Sequence, residues 1–94
     1  MDILNVVITK KAIGRTENAT YNLEYSISDN RLLKIMATIY SLKTENQPDG
    51  VYIGQITFEN EIVTASFMGK MQASKLFVDF EDLMRQIRED VNPK

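Results

Sequence analysis

The sequence predicts an α+β fold: a five-stranded antiparallel β-meander with one C-terminal amphipathic helix packed on one face. Three observations predict it. Ala73, Phe77, Phe80, Met84, Ile87 and Val91 recur at alternating spacings of four and three, which sets them on one stripe of an α-helix. Upstream, Tyr21, Leu23, Tyr25 and Ile27 alternate with Asn22, Glu24, Ser26 and Ser28, the two-residue period of a half-buried strand. Turn chemistry separates the strand-like segments at Asp29-Asn30, Gln47-Pro48-Asp49-Gly50 and Glu59-Asn60.

The first strand is read from Ile3 to Lys11, a stretch rich in β-branched residues, with Leu4, Val6 and Ile8 on one face and Ile3 and Val7 on the other. Ile13 to Ala19 contains Gly14 among polar residues and reads as a loop. The Tyr21–Ile27 alternation is the second strand. The third runs from about Leu32 to Leu42, with Leu33, Ile35, Ala37 and Ile39 set against the apolar face of the second. Keeping both sets on one face requires a loop with an odd number of residues, three or five.

Pro48 presets φ for a type I turn that Gly50 closes. Strand four is Val51 to Phe58 and strand five is Glu61 to Met68. A two-residue turn at Glu59-Asn60 sets Ile56 against Val63, Gly54 against Ala65 and Tyr52 against Phe67. Gly69 breaks the strand. The helix starts near Gln72 if the whole stripe is helical. A start at Phe80 is the alternative, with Asp79 as N-cap, Asp82 at the third position and Val78 stapled to Leu83. The stripe favours the early start. Phe80 and Ile87 should then be buried above Tyr25, Leu33, Ile35, Ala37 and Val63.

A length of 94 residues fits one domain, residues 1–94, with the sheet over about 3–68 and the helix over about 72–91. No stretch approaches the ~20 apolar residues that span a bilayer. The N-terminal region has an acid at position 2 and lysines after its apolar run, the reverse of a secretory signal. The absence of cysteine excludes disulfides and thiolate sites and fits a reducing compartment, so a cytoplasmic location is expected. Asn18-Ala19-Thr20 matches a glycosylation sequon, a chance match in a chain rich in Asn and Thr.

Net charge is −2, unevenly spread: residues 1–48 carry six basic and five acidic side chains, and residues 49–94 carry five and eight. The acidic C-terminal part speaks against a generic nucleic-acid protein, which wants a basic stripe.

The chemistry-bearing residues are few. Without His or Cys, Ser–His and Cys–His nucleophiles are excluded. Ser74-Lys75, and Ser66 near Lys70, do not sit in a strand–turn–helix elbow. Asp79, Glu81 and Asp82 form an acidic cluster, better read as the wet face of the helix than as an acid–base pair. Gly69-Lys70 lacks the upstream spacing of a phosphate loop, and Met71 stands where Ser or Thr belongs. No cofactor or metal is expected, and the chain reads as non-enzymatic.

One helix covers one side of the sheet. The other side should present Lys34, Met36, Thr38 and Tyr40 from the third strand and Ile53 from the fourth, a mixed patch of the kind protein interfaces use. The function expected is a small protein-interaction domain that self-associates through this open face as a homodimer. The alternative is a single-stranded nucleic-acid binder using the same face, with Lys34, Tyr40, Lys10 and Lys11 as contacts.

Overall fold

The computed structural model describes residues 6–46, 48, 50–68 and 73–92. Strands β1 (Ile8–Arg15), β2 (Thr20–Ser28), β3 (Arg31–Tyr40), β4 (Tyr52–Glu59) and β5 (Ile62–Phe67) form one antiparallel sheet in the order β1-β2-β3-β4-β5. Helix α1 (Ala73–Val91) follows and packs on one face, which is the α+β meander expected. Ile3, Leu4, Gln47, Asp49, Gly69, Lys70 and Gln72, which the strand, turn and helix-start readings used, lie outside the described residues.

The core is the product of alternation. Tyr21, Leu23, Tyr25 and Ile27 of β2, Ile35, Ala37 and Ile39 of β3, and Ile56 and Phe58 of β4 point to the helix and are buried. Leu76, Phe80, Leu83 and Ile87 of α1 lie over them, with Phe77, Met84 and Val91 half-buried on the flank. The helix starts early, at Ala73, and its deepest line runs through Leu76 and Leu83, which the six-residue stripe left out. Val78 is exposed and staples nothing.

The first strand is corrected: β1 includes Ile13 and Gly14, read as loop, and only Thr16–Ala19 connects it to β2. Gly14 is a close approach rather than a turn. A Cβ there would lie 2.7 Å from Leu83 Cδ2, so glycine lets the helix settle onto the strand.

The β2–β3 turn is two residues, Asp29 (φ 53°) and Asn30 (φ 60°), not three or five. Parity is restored one step later. Ile27 pairs with Leu32 and Ser26 with Lys34, so Leu33 is an extra, bulged residue. The bulge carries Leu33 out of the core, where it is 40% exposed.

The β4–β5 turn is Asn60 (φ 55°) and Glu61 (φ 62°), one residue later than expected. The primed turn puts Asn, which tolerates positive φ, at its first central position. Ile56 therefore faces Ala65 and Phe58 faces Val63. Val63 is 44% exposed rather than buried beneath the helix.

Candidate functional site: the open sheet face

The side chains that alternate with the core residues of β3 emerge on the far side of the sheet. Lys34, Met36, Thr38 and Tyr40 form one row there, each half-buried by its neighbours. Register fixes those neighbours. Across β2 the row meets Ser26, Glu24, Asn22 and Thr20, and across β4 it meets Glu59, Thr57, Gln55 and Tyr52. Glu24 thus shares the face with the lysine row, as its place in the alternation requires. Gln55 Nε2 donates to Thr57 Oγ1 at 3.2 Å, so this part of the face is tied within its own strand.

Ile53 does not join the row. Ile39 pairs with Gly54 and Tyr40 with Tyr52, which leaves Ile53 as a second bulged residue whose side chain packs on the core. The same bulge moves Tyr52, expected inside against Phe67, onto the open face. Its ring meets Tyr40 edge-on, with centroids 6.0 Å apart and planes at 71°. Pattern alone missed Tyr52, because strict alternation from Ile56 backwards assigns it to the core.

Reading residues 13–19 as loop also hid the rest of the face. With β1 continuing to Arg15, the residues opposite Glu24, Asn22 and Thr20 are Lys11, Ile13 and Arg15. A shallow depression of about 510 Å³ lies among Lys11, Ile13, Asn22, Glu24, Met36 and Thr38. A smaller one of about 220 Å³ lies beside Tyr40 among Ile13, Arg15, Asn22, Ser41 and Lys43. Lys10, placed with Lys11 in the nucleic-acid reading, points to the helix side instead and pairs with Asp90 at 3.1 Å.

The carboxylates of the helix are not assembled for acid–base work. Asp79 Oδ2 accepts hydrogen bonds from Thr16 Oγ1 (2.6 Å), Tyr21 OH (2.7 Å) and Asn18 Nδ2 (3.1 Å). Partial burial pushes its pKa up, but these three donors together outweigh that and hold it below the ordinary carboxylate range. Asp82 is held low by hydrogen bonds from Arg85 and Gln86. A general acid needs the opposite shift.

Asp90 accepts from Lys10 and from Tyr25 OH (3.0 Å), so two carboxylates of α1 each take a phenol of β2. A groove of about 860 Å³ lies at the end of the helix among Arg31, Leu32, Glu61, Arg85, Arg88 and Glu89. Arg85 there is already paired with Asp82 and Glu89, and Arg88 lies over the Phe58 ring. Among the described residues no cluster of three or more His, Cys, Asp or Glu could hold a metal ion. Nor is any described helix long and apolar enough to cross a membrane.

Comparison with known protein families, curated proteins and solved structures found no match.

Proposed function

We propose that this chain is a non-enzymatic, cytoplasmic protein-interaction domain whose contact surface is the open sheet face, with a second copy as the partner. The supporting observation is the apolar content of that face. Tyr40 and the edge-on Tyr52 ring pair at one end of the strands, and Met36 stands in the same row beyond Thr38, on a sheet side that α1 leaves uncovered. Aromatic and Met side chains within a polar surface are the usual anchors of protein contacts. Met36 and Tyr40 are already half-buried, so covering the rest contributes only part of the roughly 1.5–3 kcal/mol of a full burial each, and the dimer is a weak one.

Charge at the anchor should break it, because a carboxylate there, even beside Arg15 and Lys43, must be desolvated in the contact, and that costs more than the pairing returns. Tyr40→Glu is expected to shift the chain to monomer in sedimentation equilibrium while its circular dichroism stays unchanged. A dimer that survives this substitution defeats self-association through the face. The purified chain is also expected to turn over no generic ester, phosphate or glycoside. Turnover that disappears in Asp82→Asn would overturn the non-enzymatic reading.

One observation favours a second reading. Arg15 and Lys43 flank Tyr40, which is the cation-and-stacking arrangement of a single-strand binder. Salt-dependent retention on immobilised oligothymidine, lost in Tyr40→Ala, would support it. Retention that ignores salt would not.

A further inference from the structure

Strand β5 has the composition of an inner strand and the position of an outer one. Val63, Ala65 and Phe67 lie on the helix side, opposite the buried Phe58 and Ile56 and opposite Gly54. Yet Val63 and Ala65 are exposed, and only Phe67 is half-covered, by the Phe77 ring at 5.7 Å. The helix is committed elsewhere. It seats Leu83 on Gly14 of β1 and bonds Asp79 and Asp90 to the tyrosines of β2.

The two outer edges of the sheet are also unlike. A free edge is ordinarily blunted by charge, especially Lys, by Pro or by a bulge. β1 carries Lys10, Lys11 and Arg15. β5 reads Ile-Val-Thr-Ala-Ser-Phe, with no charge and no Pro, and it keeps register with β4 without a slip from Ile62 to Phe67.

The outward backbone groups can be named. In an antiparallel ladder, successive residues turn their N–H and C=O alternately to one side and the other. Met68 N–H donates to the Ile53 carbonyl of β4 at 2.9 Å, so it points inward. The backbone N–H and C=O groups of Val63, Ala65 and Phe67 therefore point outward, and the first two also have exposed side chains on the helix side.

We propose that β5 pairs with β5 of a second copy about a two-fold axis through Ala65, joining two sheets into one continuous sheet with both helices on the same side. This rests on the homodimer reading but moves its contact from the open face to the β5 edge, so the two placements predict opposite responses to Tyr40→Glu and Ala65→Lys. The register satisfies side chains and backbone together. Ala65 meets its own copy, and each Val63 meets the partner's Phe67, all of them outward-pointing residues that exchange hydrogen bonds. A register about Thr64 instead sets Phe67 against the turn residue Glu61.

The outer edges of the pair are then two Lys-bearing β1 strands, so assembly stops at two. One strand pair buries less than the roughly 1,600 Å² of a standard interface, so the dimer is a weak one and is sought at high concentration.

Ala65 is exposed in a single copy, so charge there leaves the fold intact, while across the axis it sets like charges in direct contact. Ala65→Lys and Ala65→Glu should each sediment as monomers at about 1 mM, at least tenfold weaker in self-association than the parent chain. An equimolar mixture of the two should recover the dimer, because only a residue opposite its own copy is rescued by its charge-swapped twin. Circular dichroism and thermal melts matching the parent confirm folding. A parent chain that is monomeric at 1 mM, a dimer that persists in Ala65→Lys, or a mixture that stays monomeric overturns the proposal. Loss of the dimer in Tyr40→Glu with its retention in Ala65→Lys would assign self-association to the open face instead.

Discussion

At the scale of single residues, the Asp79–Tyr21 pair, the more buried of two such pairs between α1 and β2, contributes to how this molecule responds to pH. Tyr21 is fully buried, and its phenol donates to Asp79 Oδ2 at 2.7 Å. Burial first, and then the hydrogen bond to Asp79 and its charge, push the Tyr21 pKa well above the ordinary phenol value. A raised pKa in the folded state gives stability that is complete below the unfolded value of about 10 and is lost as pH rises beyond it. Denaturant midpoints should therefore fall above about pH 10, and Tyr21→Phe should flatten that decline.

Asp79 works in the opposite direction. Its folded pKa is depressed, so its contribution is present above the ordinary carboxylate value of about 3.9 and is lost as pH falls through the lower folded value. Asp79→Ala strands the Tyr21 hydroxyl and should cost about 1–3 kcal/mol, toward the low end because the carboxylate is partly solvated. A urea midpoint unchanged by that substitution would show that the loop between β1 and β2 is held by something else.

At the scale of elements, α1 is the closure of the core, and Ile87 measures it. The side chain is 6% exposed among the residues over the sheet. Ile87→Ala should cost about 2–4 kcal/mol in chemical denaturation, a large share of what a domain this small has in reserve. A loss below about 0.5 kcal/mol would contradict the packing described. Glu61 adds a test with the opposite sign. It holds φ 62° without being glycine, and Glu61→Gly should raise stability by up to about 1 kcal/mol.

Elements were the most legible level of the sequence. The 3.6-residue stripe located the helix and the Tyr21–Ile27 alternation located β2 almost to the residue, because burial on one face imposes a period. Bulges were illegible for the same reason. An extra residue at Leu33 or Ile53 preserves the period on each side of itself and changes only its phase. Strict alternation thus puts Ile53 on the open face and Tyr52 in the core, each the reverse of what the bulge produces. Gly14 misled differently, since a glycine that admits Leu83 looks identical in sequence to one that makes a turn.

At the scale of the whole molecule, the meander order was legible because short connections join β1 to β2, β2 to β3 and β4 to β5, leaving only the longer link over 41–51 with any choice. The reach of one helix over five strands was not, since no periodicity says which strand goes uncovered. That asymmetry predicts a gradient of local opening. β2, β3 and β4 are paired on both sides and lie under α1, whereas β1 and β5 are each paired on one side only. Amide hydrogen exchange in dilute solution should be slowest at Leu23, Ile35, Ala37 and Ile56 and much faster along the outer strands. Within β5 the protection should alternate. The N–H groups of Thr64 and Ser66 point to β4 and should exchange slowly, and those of Val63, Ala65 and Phe67 point to solvent and should exchange at near-unprotected rates. Uniform protection along β5 at low micromolar concentration would mean that its outer edge is already paired or covered.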